Sequence, residues 1–487
     1  MPNNLALVRE KARPMESSGP AGSGSAHPSV RFGKLIDGIV FVCLLGLTIL
    51  SVIPYGLVDA WWEALFECVV FVVTAIWMLE LVFLGVPRVR SLFVVLPLVL
   101  ITAYAFAQTV ELPVAWLPAK IGRLTAQHTL SIDRYQTYLT ARKALALTLF
   151  FGLLLLHTST PKRLRWLIRA VIGLGLASAL FGILRQFLQS PDSPAGFVLP
   201  ILFYGMGYGQ FLSPNPFAYL MEMPFGLLAG MILGGGVRRD RVLVYLAIII
   251  PVWTALVLSN SRGGIVSLTI ESILLLFVSL NWYAARQLSR KDGNLHRWFT
   301  FLRGSRLVRF LFVVLMVGVL FVGVFWMGGE NLASKLHNED STRNIVDGAT
   351  RTEIWRSSWE LVKHNPWTGV GFGAYFLAIP EYQIGSGRLR LEQAHNDYLD
   401  LAANGGIVAV GLAGWFIAMI ILRARSSLRS ADAYRRTAAL GAVAGIVGVG
   451  VHSFVDFGLQ VTGLAVVFAA LVVIAIADER VAEQSKP

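Results

Sequence analysis

The sequence has few charged residues and almost no cysteine, and each shortage excludes a class of protein. Charged residues make up 15% of the 487 residues, whereas soluble domains carry about a quarter. Cys43 and Cys68 both fall in apolar runs, which favours small buried side chains over a disulfide or a metal pair. There is no P-loop or dinucleotide glycine motif, and no histidine and carboxylate group has metal-ligand spacing. The sequence therefore predicts neither a metal site nor a cofactor.

Apolar residues, at 55% of the chain, are arranged in long runs. A helix needs about 20 consecutive apolar residues to cross a bilayer. We therefore predict an all-α, polytopic membrane protein embedded in the lipid bilayer, with about twelve transmembrane helices. The candidate spans lie near 35–54, 62–86, 91–110, 143–159, 166–188, 214–236, 242–259, 263–283, 309–327, 403–422, 437–455 and 459–477.

The basic residues indicate the orientation of these spans. With both termini in the cytoplasm, 28 of the 42 Lys and Arg residues fall on inner segments, as the positive-inside rule expects. The net charge of +13 is then a consequence of topology, and no nucleic-acid partner is predicted. The predicted units are a disordered cytoplasmic tail (1–34), spans one to nine (35–327), an outer helical loop (328–402), spans ten to twelve (403–477) and a second cytoplasmic tail (478–487).

Two short motifs at the outer ends of spans stand out. Arg262 follows a turn of nearly zero length, and an arginine at the membrane surface is a functional candidate unless it reaches up to lipid headgroups. The two glycines after Arg262 favour a functional role for this residue, because they let a ligand approach the backbone. His452 and Asp456 are four residues apart and share a face if that helix continues. Asp456 is then a candidate to orient His452, to balance its charge or to bind an arginine from elsewhere, and solvation of the turn is the alternative.

The large outer loop carries the most interesting histidine. Residues 350–363 have the pattern of an amphipathic helix at the membrane interface, and a Gly-rich stretch follows it. His395, Asn396 and Asp397 then lead into the tenth span. Imidazole is suited to proton transfer near neutral pH, and a capping or packing role is the equally weighted alternative. Residues 189–216 form a second outer loop, read as a connection or a re-entrant segment.

An arginine and a histidine at the lipid surface suit a substrate whose leaving group is a lipid-borne pyrophosphate. Arginine can stabilise the charge on the departing phosphate without a metal, and histidine can take a proton from an attacking sugar hydroxyl.

Four passages in one order then resemble the O-antigen ligase and O-antigen polymerase family of bacterial membrane glycosyltransferases. They are SPNPFAYLMEMP (213–224), which includes Asn215, LSNSRGGIVSL (258–268), RTEIWRSSWELVKHNPWTGVGFGAYF (351–376) and HNDYLDLAANGGIVAVGL (395–412).

This resemblance implies a donor glycan linked to undecaprenyl pyrophosphate and an acceptor that is a glycan or a lipid A core sugar, in lipopolysaccharide or polysaccharide biosynthesis. It implies a scaffold of the GT-C type in the bacterial inner membrane, with its active site facing the periplasm. Transfer would be inverting and metal-independent, with His395 activating the acceptor and Arg262 holding the pyrophosphate.

One departure concerns a second arginine of the family, expected where residues 206–211 read MGYGQF. Arg185, Arg351 and Arg356 are the candidates to replace it. A twelve-span polysaccharide transporter or flippase, or an assembly scaffold, is the alternative function. Repeats and midplane charges would mark a transporter, and neither is evident in the sequence.

Overall fold

The fold was analysed in a computed structural model, which describes residues 28–85, 93–113, 128–188, 208–288, 351–383 and 391–477. These residues form helices and two isolated β-bridges but no β-strand, which confirms the all-helical prediction. The helices are α1 (Pro28–Leu50), α2 (Ala60–Leu84), α3 (Leu96–Ala107), α4 (Arg134–His157), α5 (Pro161–Leu188), α6 (Pro214–Leu233), α7 (Val242–Leu258), α8 (Arg262–Leu288), α9 (Arg351–His364), α10 (Tyr375–Ala378), α11 (Asp397–Ser427), α12 (Ala433–His452) and α13 (Thr462–Ile476).

Eight segments of the described chain are long and apolar enough to cross a membrane, so the protein is a multi-pass membrane protein. They are Val30–Leu50, Ala60–Leu84, Arg134–His157, Pro161–Leu188, Pro214–Leu233, Arg239–Leu258, Arg262–Tyr283 and Asp397–Ser427. The apolar helices α3 and α13 are shorter. The predicted span 309–327 lies outside the described residues, and α1 begins at Pro28, within the predicted tail.

Helices α6 and α12 cross closely because glycines line the contact. A Cβ atom on Gly226 would lie 2.7 Å from the backbone nitrogen of Gly445, and one on Gly230 would lie 2.3 Å from Cα of Gly441. Spacings of four between small residues on both helices let the backbones approach, as in many membrane helix pairs. Helix α8 packs against both helices, so the three form the centre of the bundle.

Ion pairs join α2 to α4 and satisfy charges that lie within the bundle. Glu67, which is buried, lies 2.5 Å from Arg142, and Glu63 lies 3.3 Å from Lys143. Because an unpaired charge is costly in the membrane, pairing explains how α4 includes Arg142 and Lys143.

The two cysteines do not link helices in this way. Both carry free thiols, and Cys68 is exposed rather than part of the core as predicted.

The predicted outer segment has a small apolar core of its own, built from α9, α10 and the start of α11. The predicted helix over 350–363 is confirmed as α9. The Gly-rich stretch after it docks on the bundle. Thr368 accepts a hydrogen bond from Gln108 (2.8 Å), and Phe372 accepts one from Thr137 (2.7 Å) near the start of α4.

Helix α11 is interrupted where it leaves this outer segment. Gly406 has a φ of +61°, and the amide of Ile407 donates to the carbonyl of Pro366 (2.8 Å). A Cβ atom at Gly406 would lie 2.3 Å from the carbonyl oxygen of Trp367, so glycine is required at this break. The first turns of α11 therefore belong to the outer segment, and the span proper follows Gly406.

Candidate functional site

Arg262 lies at the first position of α8, after a turn that is as short as predicted. Helix α7 ends at Leu258, and Asn260 turns the chain with a φ of +53°. Ser261 then accepts a hydrogen bond from the amide of Gly264 (3.2 Å), which caps α8. The Arg262 side chain is exposed at this end of the bundle.

His395 immediately precedes α11 and has an unusual backbone. Its φ is +47°, a conformation that non-glycine residues seldom adopt and that is frequently found at functional sites. The next residue fixes this geometry. Asn396 caps α11 by accepting from the amides of Tyr398 and Leu399, both at 3.0 Å, and donates to the carbonyl of Phe454 (2.9 Å). Asn396 thus has a positioning part in the site.

The partner of His395 is Asp456. Nδ1 of His395 lies 3.5 Å from Oδ1 of Asp456, whose side chain is 7% exposed, whereas that of His395 is 38% exposed. The pKa of Asp456 is lowered, although burial alone would raise it. The imidazole of His395, the charge of His452 and the amide of Phe457 together stabilise its carboxylate. The imidazole also makes an edge contact with the ring of Phe457, at 4.9 Å between centroids.

The interpretation in which Asp456 orients His452 by direct side-chain contact is therefore wrong, whereas charge balance between the two is supported, because the charge of His452 helps to stabilise the Asp456 carboxylate. Helix α12 ends at His452, so the four-residue spacing no longer places both side chains on one helical face. Nδ1 of His452 instead lies 2.6 Å from Oε1 of Glu222, and its ring stacks on Tyr219 at 3.9 Å. The imidazole is 1% exposed.

His452 and the residues after it connect the two motifs. Nε2 of His452 lies 3.5 Å from Oγ of Ser261, and a Cβ atom on Gly263 would lie 2.4 Å from that nitrogen. Ser453 donates to the carboxylate of Asp397 (2.8 Å), two residues after His395. The Arg262 turn and the His395 turn therefore both pack on residues 452–457.

Two carboxyl groups near this junction were not identified from the sequence. Glu222 and Glu271 are 0% exposed within α6 and α8. Glu271 is nine residues into α8, which places it about 14 Å along the helix axis. The expectation that midplane charges are missing is thus wrong. The available signal was a single acidic residue inside each apolar run, which is a functional candidate in itself.

The other predicted site residues occupy different surroundings. Arg185 is 1% exposed and donates to the carbonyl of Gly209 (2.5 Å), so it contacts the segment that lacks the expected arginine. Asn215 is half-buried in the first turn of α6.

The two remaining arginines belong to α9. Arg356 is exposed on this helix, where the neighbouring Trp355 donates to the carbonyl of His395 (3.3 Å). Arg351 begins α9, and its side chain lies outside the described part of the structure.

Asp37, Glu80 and His157 bring possible metal-ligand atoms within 4.8 Å of one another, although their sequence spacing predicted no such group. Both carboxylates already have partners, because Arg163 donates two hydrogen bonds to Asp37 (2.5 and 2.8 Å) and His157 lies 3.0 Å from Glu80. His157 lies 20 residues from Thr137 along α4, a distance of about 30 Å. Since Thr137 contacts the outer segment, this group lies at the opposite end of the bundle from His395.

Comparison with known families supports the relationship predicted from the sequence. Residues 246–416 match the family described as O-antigen ligase, a stretch that contains Arg262, Arg351, Arg356 and His395. No curated protein matches the chain. The match supports a membrane glycosyltransferase-type function with glycan and lipid substrates. Over residues 246–416, the chain is therefore similar to the O-antigen ligase family.

Proposed function

We propose that the protein is a membrane glycosyltransferase that moves a glycan from undecaprenyl pyrophosphate to a sugar hydroxyl at the periplasmic face of the bacterial inner membrane. The observation that carries this proposal is the packing of the Arg262 turn and the His395 turn on one segment, residues 452–457. A group for the leaving phosphate and a group for the acceptor proton then belong to one site.

His395 is the proposed base, and Asp456 sets which ring nitrogen acts. The carboxylate faces Nδ1, so it favours the tautomer with a proton on that nitrogen and the lone pair on Nε2. Nε2 then accepts the proton of the acceptor hydroxyl as the hydroxyl oxygen attacks the anomeric carbon of the donor. The 3.5 Å separation is longer than a hydrogen bond, and such contacts often shorten when substrate binds.

Arg262 is proposed to stabilise the leaving group. As the bond between the anomeric carbon and the phosphate oxygen breaks, both electrons pass to that oxygen, and undecaprenyl pyrophosphate gains a negative charge. A guanidinium can form two parallel hydrogen bonds to phosphate without a metal. A single displacement of this kind inverts the anomeric configuration. Arg356 and Arg351, on the helix that contacts His395 through Trp355, are proposed as further pyrophosphate ligands.

Ligase and polymerase activity share this chemistry and differ in the acceptor, which is a lipid A core sugar in one case and a glycan repeat unit in the other. The experiment is transfer by the full chain in proteoliposomes supplied with undecaprenyl-pyrophosphate-linked glycan and each acceptor in turn. Product with lipid A core indicates a ligase, and longer glycans on the lipid carrier indicate a polymerase. Movement of the donor across the bilayer without product would instead support a flippase.

The site residues are tested in the same assay with matched controls. His395→Ala is expected to lower transfer by about 100- to 10,000-fold, whereas His364→Ala, an exposed histidine on α9, leaves it unchanged. Arg262→Ala is expected to cost about 30- to 1000-fold, with partial recovery in Arg262→Lys. Arg241→Ala is its exposed control beside α7. Normal transfer by His395→Ala at normal abundance would refute the assigned base.

A further inference from the structure

Three buried titratable side chains lie beneath the proposed site and have no part in the mechanism above. Glu222 and Glu271 are 0% exposed and His452 is 1% exposed, on three helices that form the centre of the bundle. Because His395 is 38% exposed, it can exchange its proton with outside water. Transfer therefore does not require a relay of protons through the buried groups. These groups can act on the reaction through the geometry of the site instead.

The packing of α8 on α12 places two of these groups along one seam. The Glu271 carboxyl group lies against Gly448, where a Cβ atom would be 1.7 Å from its Oε1. His452 is four residues further along α12 and contacts Gly263, eight residues before Glu271 on α8. These spacings put the contacts on one face of each helix. The seam therefore runs from the buried carboxyl group up to the residue that follows Arg262.

The hydrogen bonds of the two carboxyl groups are incomplete. Oε1 of Glu222 is bonded to His452, but Oε2 of Glu222 and both carboxyl oxygens of Glu271 have no hydrogen-bond partner in the described part of the chain. An unpaired carboxylate costs several kcal/mol in a site of low dielectric constant. The three side chains together are electrically neutral when a protonated His452 faces the carboxylate of Glu222 and Glu271 keeps its proton.

We propose that Glu222, Glu271 and His452 form a proton-binding site within the membrane domain, in which Glu271 is a neutral acid and Glu222 pairs with a protonated His452. We further propose that this site positions Arg262. The second statement rests on the proposed function, whereas the first does not.

The connection to Arg262 runs through His452. Its imidazole supports the Arg262 turn at Ser261 and Gly263, and Glu222 holds the imidazole from below. The other ionisable groups around the site are Tyr219, which stacks on His452, and Asp397 and Asp456, which interact electrostatically with Tyr219. If Glu222 loses its charge, the imidazole loses its fixed partner, and Arg262 is no longer held where the phosphate leaves.

The protonation of Glu271 is tested directly by infrared spectroscopy of the purified full chain. We expect the carbonyl band of a protonated, buried carboxyl group in the unmodified protein and in Ser267→Ala. Ser267 lies between Gly263 and Glu271 on the same buried face, which makes it the matched control. The intensity of this band should fall in Glu271→Gln by the contribution of one carboxyl group. A band of unchanged intensity in Glu271→Gln, or no band in the unmodified protein, would overturn the assignment.

The positioning role is tested by transfer kinetics in a double-mutant cycle. Glu222→Gln is expected to lower kcat by about tenfold to a hundredfold with little change in the donor KM. The double variant Glu222→Gln/Arg262→Ala should be no slower than Arg262→Ala alone, because both changes remove the same contribution, that of Arg262 to transfer. Additive losses would overturn the positioning role. If Arg262→Ala transfers normally, the proposed function fails instead, and the infrared result still decides the proton site.

Discussion

Replacing Asp456 with asparagine removes a negative charge 3.5 Å from Nδ1 of His395 while keeping the size of the side chain. In the proposed reaction Nε2 of His395 accepts the proton of the acceptor hydroxyl, and the ring then carries a positive charge. The carboxylate stabilises that charge and favours the tautomer that leaves Nε2 unprotonated. Without the carboxylate both contributions are lost, and transfer by Asp456→Asn should be slower.

The size of this loss follows from the distance between the two groups. Two unit charges 3.5 Å apart interact by about 1 kcal/mol at the dielectric constant of water and by about 5 kcal/mol at an effective value of about 20. Because the His395 side chain is 38% exposed, solvent screening favours the lower end, about 1–2 kcal/mol. A loss of about 1.4 kcal/mol in the transition state lowers the rate about tenfold. With the tautomer no longer fixed as well, transfer should fall about tenfold to a hundredfold.

The assay is the initial rate of glycan transfer in proteoliposomes at about pH 7. The pKa of Asp456 is lowered, so its side chain is a carboxylate at this pH. Asp240→Asn is the control, since Asp240 is an exposed carboxylate paired with Arg238 on another loop. Transfer by Asp456→Asn at the rate of the unmodified protein, at normal abundance, would refute the role of Asp456.

Three further predictions concern the fold, its stability and the charge chemistry. Gly371→Ala should lower the yield of folded protein in membranes, since φ is +108° and a Cβ atom would lie 2.2 Å from Oγ of Ser131; a normal yield would contradict that close docking. Glu67→Gln should destabilise the detergent-solubilised protein by about 1–3 kcal/mol, because Arg142 loses its buried partner. The loss is limited because the Arg142 side chain is partly exposed and its charge is screened by solvent. An unchanged melting temperature would contradict this prediction. Chelation of divalent metals should leave transfer unchanged, as arginine supplies the positive charge; loss of transfer that added metal restores would contradict this.

The sequence predicted most helices because a run of about 20 apolar residues has few other stable forms in a membrane. It was less successful where helices continue into polar sequence. Helix α4 begins at Arg134, nine residues before the predicted span, because Arg142 and Lys143 find carboxylates on α2. Those pairings are between helices, and apolar periodicity along one helix carries no information about them.

The same distinction between local and distant contacts applies to the site. The sequence singled out His395, Arg262 and Asp456 as separate candidates, since each belongs to a short motif at the end of a span. It assigned Asp456 to the wrong histidine because spacing along the chain describes neighbours only within a continuous helix. The bond between Glu222 and His452 joins residues 230 positions apart, and no local pattern predicts it.

Arg185 illustrates how a missing motif residue can be compensated by structure. The family's second arginine is expected within residues 206–211, and this sequence has none there. The guanidinium of Arg185 reaches the carbonyl of Gly209 from α5, so positive charge is supplied to the same segment from a different helix. Arg185 is buried, however, and it donates to a backbone carbonyl. This arrangement suits a residue that stabilises the segment around Gly209 rather than one that binds a substrate. The exposed Arg356, on the helix that contacts His395, is therefore the better candidate for a second direct pyrophosphate ligand.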